Sequence, residues 1–311
     1  MSERQRETAY RCSTQSRMLG EPLLATASTV RSWLMVEQAG GWPETALDSR
    51  AVPRSVALPL SLAANRHGVR LVLIRRPGRP AAGPRVLATC FLAHTGRADP
   101  WLARLEVRDL GDLLDLDLGA LAAGTVPAPA TPIAGPLFCV CTHGRHDPCC
   151  AERGRPVAAA LATEFPGQTW EVSHIGGDRF AANVLCFPHG IYLGRVPAGL
   201  AADIGRRYAS GEIPVDYLRG RSSDALPVQA ADSFLRQERA LTAIEATTPL
   251  RRQVDGDVET VTFAVADAGG AAERVRVRLR VGAPGPVRAL TCHVGAEVAP
   301  PAYRLLEIRR V

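Results

Sequence analysis

One short segment, CTHGRHDPCCAERG over residues 141–154, concentrates the side chains best suited to bind a metal or to carry out redox chemistry. Three cysteines and two histidines fall within its first ten residues. Exported domains use cysteines for disulfides, whereas a cytosolic chain keeps its thiols reduced, so clustered Cys and His there indicate metal ligands or redox groups. The first residues contain no apolar export segment. We therefore expect a cytoplasmic protein with a metal or redox site in this segment.

The spacing of the cysteines limits which of them can share one centre. In the predicted strand LFCVC (137–141), side chains alternate, so Cys139 and Cys141 lie on the same face. Cys149 and Cys150 are neighbours in the chain and cannot easily both point at one centre. A site in this region should therefore take one cysteine from each pair.

Further donor side chains follow in the segment SHIGGD. His174 and Asp178 bracket two glycines, which allow the backbone to bend closely around a bound group. Two thiolates, an imidazole and a carboxylate form a plausible set of four ligands, although their spacing is not one of the common zinc patterns. The residues by themselves thus indicate a metal site.

The elements that position these residues are predicted from hydrophobic periodicity and from turn residues. For the first part of the chain they are a strand in 28–38, a helix in 53–68, and strands in 69–76, 85–94 and 103–109. For the second part they are a strand in 137–141, an Ala-rich helix in 155–165 with Pro156 in its first turn, and extended segments in 168–177, 180–187 and 191–196. Strand, helix, strand and hairpin is the order of a thioredoxin-like half-sandwich, and the coarse order of the first part is similar.

The remainder of the chain is predicted to be helical and then β-rich. Helices are expected at about 197–210 and 227–246, and strands at 258–267 and 273–282. Arginine alternates with Val or Leu over 274–281, which we interpret as a solvated edge strand.

Composition excludes several classes of function. With 311 residues, 46% hydrophobic and 22% charged, the chain resembles an ordinary soluble protein of about two domains. No apolar run approaches the length of a membrane span, so we expect no membrane partner. The net charge of +6 comes from 37 basic residues that are all arginine and are spread among acidic residues. Because the recognised DNA-binding motifs are also missing, we expect no nucleic-acid partner.

The motif segment 141–154, together with WEVSHIGGDRFAANVLCFPHGIYLGRV (170–196), resembles the sucrase/ferredoxin-like family, and bacterial members in particular. The resemblance is strong over about 136–200 and implies a thioredoxin-like [2Fe-2S] ferredoxin domain. In fungal relatives the cluster ligands are two cysteines at C-x8-C and two histidines at H-x3-H. The cysteine positions correspond to Cys141 and Cys150, the first histidine corresponds to His174, and the second is replaced by Asp178.

The replacement at Asp178 leaves the fourth ligand open. A carboxylate is a harder ligand than imidazole, so Asp178 either ligates directly or accepts the N–H of His174 while another residue ligates. The substitute ligands would be Cys149, His143, His146 or His189. We expect Cys139 and Cys186 to be small core residues, and we assign no role to the isolated Cys12, Cys90 and Cys292.

With the resemblance included, the expected fold is α/β and the expected organisation has five parts. These are an N-terminal α/β domain that could itself be thioredoxin-like (1–123), a Pro/Ala linker (124–136), the thioredoxin-like ferredoxin domain (137–210), a helical connection (211–250) and a β-rich segment with a small antiparallel tail (251–311).

The leading hypothesis is an electron-transfer protein that carries one [2Fe-2S] cluster and exchanges electrons with redox partner proteins, a reductase or an electron acceptor. One alternative is a thiol-disulfide or peroxide-handling enzyme that uses Cys141 or Cys149 as nucleophile, although the chain lacks a C-x-x-C pair at this site. Another is a zinc-stabilised binding module. Glycoside hydrolysis requires two positioned carboxylates, and no such pair is singled out by the sequence. The sequence leaves the oligomeric state open.

Overall fold

Ten strands of the described residues form one mixed sheet. The computed structural model describes residues 10–48, 52–78, 87–266, 272–282, 285, 287–293 and 297–311. The strands of this sheet are β1 Ser32–Glu37, β2 Val69–Arg75, β3 Ala88–His94, β4 Trp101–Val107, β5 Thr131–Pro132, β6 Leu137–Cys141, β7 Thr169–Val172, β8 Val184–Phe187, β9 Ile191–Leu193 and β10 Leu218–Arg221. Their order across the sheet is β10-β9-β8-β6-β7-β2-β1-β3-β4-β5.

Helices and a second sheet complete the fold. The α-helices are α1 Cys12–Met18, α2 Arg54–Arg66, α3 Leu118–Ala122, α4 Pro148–Glu164, α5 Ala201–Ala209 and α6 Leu226–Arg239. Short 3₁₀ helices occupy Ala46–Asp48, Leu110–Asp115, Asp178–Phe180, Ala198–Leu200 and Val215–Tyr217. The strands β11 Thr247–Asp255, β12 Val258–Ala266, β13 Ala272–Gly282 and β16 Ala302–Arg310 form an antiparallel sheet, and β14 Arg288–Ala289 pairs with β15 Glu297–Val298.

The two halves of the large sheet have the same topology. In the first half, β1 is parallel to β2 and antiparallel to β3, and β3 is antiparallel to β4. In the second half, β6 is parallel to β7 and antiparallel to β8, and β8 is antiparallel to β9. A helix, α2 or α4, connects each parallel pair. The prediction of an α/β fold is therefore confirmed, and the halves join through a short antiparallel contact between β2 and β7.

The sheet curves so that its two halves pack face to face. Trp33 of β1 contacts Phe187 of β8 edge to face at 5.5 Å between ring centroids, although three strands separate β1 from β8 in the sheet. Phe91 of β3 contacts Trp170 of β7 in the same way. These side chains belong to one shared core that also contains Cys139. On the outer faces, each half has a second core against its own helices.

Helix α4 begins earlier than the sequence predicts. The Ala-rich pattern indicated a start at 155, but the helix begins at Pro148. Asp147 caps the helix by accepting a hydrogen bond from the N–H of Cys149 at 2.8 Å, and Pro148 at the first helical position needs no hydrogen-bond partner. Pro156 consequently lies inside the helix. The correction matters because it places Cys149 and Cys150 in the first helical turn.

The β-rich segment also differs from prediction in one respect. Alternation is confirmed in β13, where Val275, Val277 and Leu279 are buried. However, β13 is an interior strand, because β16 pairs with its other side, with Val277 opposite Ile308. The predicted solvated edge is therefore wrong. The predicted helical connection likewise contains the strand β10 before α6.

The predicted domain boundaries stay predictions, and the start of the predicted strand at 85–86 lies outside the described residues. None of the helices in the described ranges is both long enough and apolar enough to cross a bilayer.

A buried ion network fixes α6 to both sheets. Arg236, fully buried, donates to Asp232 at 2.9 Å and to the carbonyls of Ala243 and Ile244. Thr247 of β11 donates to the same carboxylate, and Arg97 lies 4.0 Å from it. Burial raises the pKa of Asp232, but the charges of Arg236 and Arg97 outweigh burial and hold the pKa below its ordinary value.

Replacing Asp232 with Asn should destabilise the protein by about 3 kcal/mol, because it leaves the buried Arg236 charge without its counter-ion. Because the folded-state pKa of Asp232 is depressed, its contribution is present above the ordinary pKa of Asp and is lost as pH falls through the folded value. The free energy of unfolding in urea, measured from neutral to acid pH, checks both statements.

The matched control is Asp203→Asn on α5, where the carboxylate is 59% exposed and lies 3.7 Å from Arg206. This change should cost less than about 0.5 kcal/mol. Equal losses for the two variants would contradict the assigned role of Asp232.

Candidate metal centre

Two buried cysteines meet where strand β6 ends and helix α4 begins. Cys141 is the last residue of β6, Cys150 lies in the first turn of α4, and both belong to the core between the two halves of the sheet. Their exposed fractions are 1% and 0%. The close approach depends on Gly154, since a Cβ there would lie 2.1 Å from the carbonyl oxygen of Cys141. The predicted choice of one cysteine from each pair agrees with this geometry.

A tight loop after β7 brings an imidazole and a carboxylate to these thiols. Asp178 Oδ1 lies 3.1 Å from Cys150 Sγ and 3.0 Å from His174 Nδ1. Both Gly176 and Gly177 have positive φ angles, 95° and 82°, as the predicted close bend requires. The structure thus brings together all four residues that the sequence singled out.

Side chains from distant elements hold this loop by its carbonyl groups. Arg70 donates to the carbonyl of His174, and both Ser28 and Tyr192 donate to that of Ile175. Four successive carbonyls, those of residues 174–177, each accept at least one such bond. The loop is therefore positioned by contacts from several distant elements as well as by its own two glycines.

Arg219 of β10 is the central support of the loop, and the sequence gave no reason to select it. Its guanidinium donates to the Gly176 carbonyl at 3.0 Å and to Asn183 Oδ1 at 2.9 Å, while Asn183 donates to the Gly177 carbonyl at 2.8 Å. Arg219 is 1% exposed, and burial lowers its pKa to about 10. A Cβ on Gly177 would lie 2.2 Å from this guanidinium, so the glycine makes room for it.

The electrostatics favour the charged forms of Cys141, His174 and Asp178, whereas the neighbouring Cys141 and burial raise the pKa of the Cys150 thiol. The neighbouring Cys150 thiol lowers the pKa of the Cys141 thiol, and this effect outweighs burial, with the charge of His174 acting in the same direction. Burial lowers the pKa of His174, but the hydrogen bond and charge of Asp178 raise it above the ordinary value. The same pairing holds the pKa of Asp178 below its ordinary value against the opposing effect of burial.

Two of the four substitute ligands, His143 and His146, lie near this site, and their rings make different contacts. His146 Nε2 lies 3.6 Å from Asp178 Oδ2, and its ring is 3.7 Å from the ring of His174. In His143, Nε2 donates to the carbonyl of Pro43 at 2.6 Å, while Nδ1 accepts the backbone N–H of His174 at 3.3 Å. Both ring nitrogens of His143 are therefore engaged by backbone groups. His146 is the alternative ligand that the geometry supports.

The other two substitutes point elsewhere. Cys149 Sγ lies 3.4 Å from Cys292 Sγ, on a different side of α4 from Cys150. His189 follows β8, whose residue Phe187 pairs with Leu137 at the start of β6, whereas Cys141 is at its end. The length of β6, about 13 Å at 3.3 Å per residue, separates His189 from the site. His189 instead contacts the hydroxyl of Tyr208 at 2.7 Å.

The first half of the sheet supplies one wall of the site. The guanidinium of Arg75 lies 4.2 Å above the ring of Trp42 and pairs with Glu171 at 2.7 Å. Glu171 also accepts a hydrogen bond from Thr142, the residue after Cys141. Trp42 contacts the ring of His143 edge to face. The N-terminal half therefore packs directly against the residues that flank the donors.

Sequence reasoning missed a second group of donors. Cys12 and Cys292, which we treated as isolated, lie beside Cys149 and Asp147 although they are far apart in the chain. No local spacing could reveal this, because α1 and the segment around Cys292 meet only in the folded protein. Hydrogen bonds from Cys12 and Cys292 lower the pKa of the Cys149 thiol to about 2, against the effect of burial.

Arg179 and the remaining cysteines lie outside both groups of donors. Arg179 donates to Glu21 at 2.7 Å and lies 4.2 Å above the ring of Phe180. Cys139, Cys186 and Cys90 are fully buried in apolar cores, and burial raises the pKa of Cys90 to about 12. The expectation that Cys139 and Cys186 are core residues is confirmed.

The donor set can bind a transition metal or a metal cluster. It combines two buried thiols with an imidazole and a carboxylate, and a second imidazole lies alongside. The sulfur side is enclosed, whereas the His174 and His146 side chains are 27% and 31% exposed. Soft thiolates select zinc, copper(I) or iron–sulfur clusters over Mg²⁺ or Ca²⁺.

Comparison with known proteins gives one match. The family model described as sucrase/ferredoxin-like matches residues 23–220, which include the site and the large sheet up to the last residue of β10. No curated protein and no solved structure matches the chain.

Replacing Gly154 with Ala tests the contact between α4 and β6. Helix propensity alone would favour alanine by about 1 kcal/mol. Because the added Cβ meets a backbone carbonyl, we expect instead a loss of about 1–3 kcal/mol in the free energy of unfolding, measured by urea denaturation.

Gly199→Ala is the control, since a Cβ there has no atom of its surroundings within 4 Å. It should change stability by less than about 0.5 kcal/mol. A stabilised Gly154→Ala variant would show that the helix does not pack on the Cys141 carbonyl.

Proposed function

Since the chain belongs to the sucrase/ferredoxin-like family, we propose that it is an electron-transfer protein whose [2Fe-2S] cluster is bound by Cys141, Cys150, His174 and Asp178. The observation that carries the proposal is the contact of Asp178 with both Cys150 and His174, beside the buried Cys141. Four donors from three separate segments thus converge on one place at the end of β6.

The fold supports a thioredoxin-like assignment for the second half. A parallel strand pair joined by a helix, followed by an antiparallel hairpin, is the topology that we expect of such a domain. The strand order β7-β6-β8-β9, with α4 between β6 and β7, has this form. The first half repeats it in β2-β1-β3-β4, so we propose two thioredoxin-like units in tandem.

The donor chemistry fits such a cluster. A [2Fe-2S] cluster supplies one-electron transfer, and His and Cys ligation can be mixed within it. Here the thiols of Cys141 and Cys150 form the buried side, where the fold excludes water. His174 and Asp178 form the side nearer the surface, and the bonds to the loop carbonyls keep both in place.

The exposed edge of the site is the place where a partner protein would dock. His146 and His174 are partly exposed there, and Arg145 is exposed beside them. We propose a redox partner protein with an acidic face, since charge complementarity accelerates encounter. The eight free cysteines suit a reducing compartment such as the cytoplasm.

The contact between Cys141 and Cys150 also suits a second candidate, a dithiol enzyme that forms a disulfide between them. Such chemistry requires a thiol that a substrate can reach, and both residues are almost fully buried. Anaerobically purified protein separates the two functions, because a [2Fe-2S] protein is red-brown and the dithiol enzyme is colourless. Colourless, iron-free protein after anaerobic reconstitution would reject the electron-transfer proposal.

Replacing Cys141 or Cys150 with Ser should remove most of the bound iron and acid-labile sulfide, because each change removes a thiolate ligand. Cys149→Ser should retain both, since Cys149 points to the other group of thiols. Iron and sulfide analysis, together with visible absorption, gives the result.

Cys139→Ser and Cys186→Ser are the controls for burying a hydroxyl in place of a thiol, and both should keep the iron content. Loss of iron in Cys149→Ser with retention in Cys150→Ser would move the second ligand by one residue and reject the proposed set.

Replacing Asp178 with His should raise the reduction potential. The proposed ligands carry three negative charges, two from thiolates and one from the carboxylate, and the exchange removes one of them. Adding an electron is easier for a less negative centre, so the potential should move towards that of bis-histidine centres of similar exposure. Redox titration followed by visible absorption measures the shift.

Asp178→Asn distinguishes ligation from hydrogen bonding. If Asp178 ligates directly, the amide should weaken iron binding, whereas a hydrogen-bonding role would leave the iron content unchanged with a small shift in potential. An Asp178→His variant of unchanged potential would exclude direct ligation and leave His146 as the fourth ligand.

A further inference from the structure

Three cysteines from three distant parts of the chain meet at a place that the proposed cluster does not use. Cys12 lies on α1, Cys149 on α4, and Cys292 between β14 and β15. Cys292 Sγ is 3.4 Å from Cys149 Sγ and 3.5 Å from Cys12 Sγ. Asp147 Oδ2 lies 3.5 Å from Cys12 Sγ, and all four donor atoms are within 4.8 Å of one another.

The spacing of the sulfurs fits ligands around one ion better than it fits a disulfide. A disulfide requires about 2.0 Å between sulfurs and would use only two of the three. In a tetrahedral zinc site with Zn–S distances of about 2.3 Å, neighbouring sulfurs are about 3.8 Å apart. The observed separations approach this value without any change in the backbone.

Burial is a second, independent indication that this group binds a metal ion. Cys12 and Cys149 are each 1% exposed and Asp147 is 0% exposed, and apolar contacts from Ala181 and Tyr10 enclose the group. Cys292 is half-buried, and a carboxylate with three thiolates gathered so closely is costly to hold without a cation, because the negative charges repel one another. A divalent ion at their centre would compensate that charge.

The carboxylate is already oriented. Asp147 Oδ1 accepts the N–H of Cys149 at 2.8 Å, and Oδ2 accepts the N–H of Cys292 at 2.6 Å. Each oxygen keeps a further lone pair, and Oδ2 faces Cys12. Such hydrogen bonds to a ligating carboxylate are common around metal sites.

We propose that Cys12, Cys149, Cys292 and Asp147 bind one structural Zn²⁺ ion. Three thiolates and one carboxylate complete a four-coordinate site, and binding displaces the thiol protons to solvent. The ion would fasten α1 and the segment around Cys292 to the first turn of α4, the turn that also carries Cys150. This proposal does not depend on the identity of the group bound at Cys141.

Metal analysis of the full-length protein, purified anaerobically without chelators, tests the proposal. We expect about one zinc per chain in the wild type. Cys12→Ser and Cys292→Ser should each lower the zinc retained against a competing chelator by about tenfold or more, with the iron content unchanged. Cys90→Ser, a buried thiol in β3, is the matched control and should retain all the zinc.

The reciprocal variant keeps the two sites distinguishable. Cys141→Ser should lose iron and keep zinc, so failure of the iron–sulfur proposal would leave the zinc result intact. If a cysteine variant fails to fold, the test is made instead on wild-type protein in which Co²⁺ has been exchanged for Zn²⁺. Intense visible bands typical of tetrahedral thiolate-bound Co²⁺ would then support the site.

Several results would overturn the proposal. One is zinc-free wild type in which all eight thiols react after denaturation. A mass lower by about 2 Da, which indicates a disulfide among the three cysteines, is another. Loss of iron in place of zinc in Cys12→Ser, or Co²⁺ spectra without thiolate bands, would equally reject zinc at this group.

Discussion

The backbone contact between the end of β6 and the first turns of α4 determines how Cys141, Cys149 and Cys150 are arranged. Because Gly154 has no side chain, the helix lies directly on the Cys141 carbonyl, and Cys150 reaches Cys141. Successive helical residues diverge by about 100°, so the neighbouring Cys149 must point away, towards Cys12 and Cys292. One helix N-terminus therefore supports two groups of thiols, and its dipole favours the thiolate form in both.

The buried guanidinium of Arg219 also stabilises the first donor site. The donors at the first site become negative when they bind a metal, and Arg219 lies behind them with its charge satisfied by carbonyl oxygens instead of a carboxylate. Its position favours ionised Asp178 and Cys141 at long range while it fixes the glycine turn between His174 and Asp178. The loop can consequently be both sharply bent and rigid, as a ligand-bearing loop must be.

The parts that sequence could predict are those governed by local pattern. Alternation and turn residues predicted most strands. The residues indicated one cysteine from each pair with His174 and Asp178, and the family resemblance selected Cys141 and Cys150, which the fold does bring to them. Helix α4 begins at Pro148 and not at the predicted residue 155, because Asp147 caps the helix and Pro148 suits its first position. The Ala-rich pattern on which the prediction relied begins later. The roles of Arg219 and Cys292 could not be predicted from the sequence, because they arise from contacts between residues that are tens to hundreds of positions apart.

The two halves share a topology but differ in their loop residues. The last residues of β2 and β7 pair with each other, so the parallel strands of both halves end close together. The loop after β6 supplies cysteines and histidines, whereas the equivalent residues 38–53 and 76–87 contain neither. The first half instead contributes Trp42 and the Pro43 carbonyl, which hold the His143 ring in a fixed tautomer and orientation. Because a metal site in a loop needs support on the side away from the helix, the first half acts as that support, and the curved sheet keeps the two halves in contact.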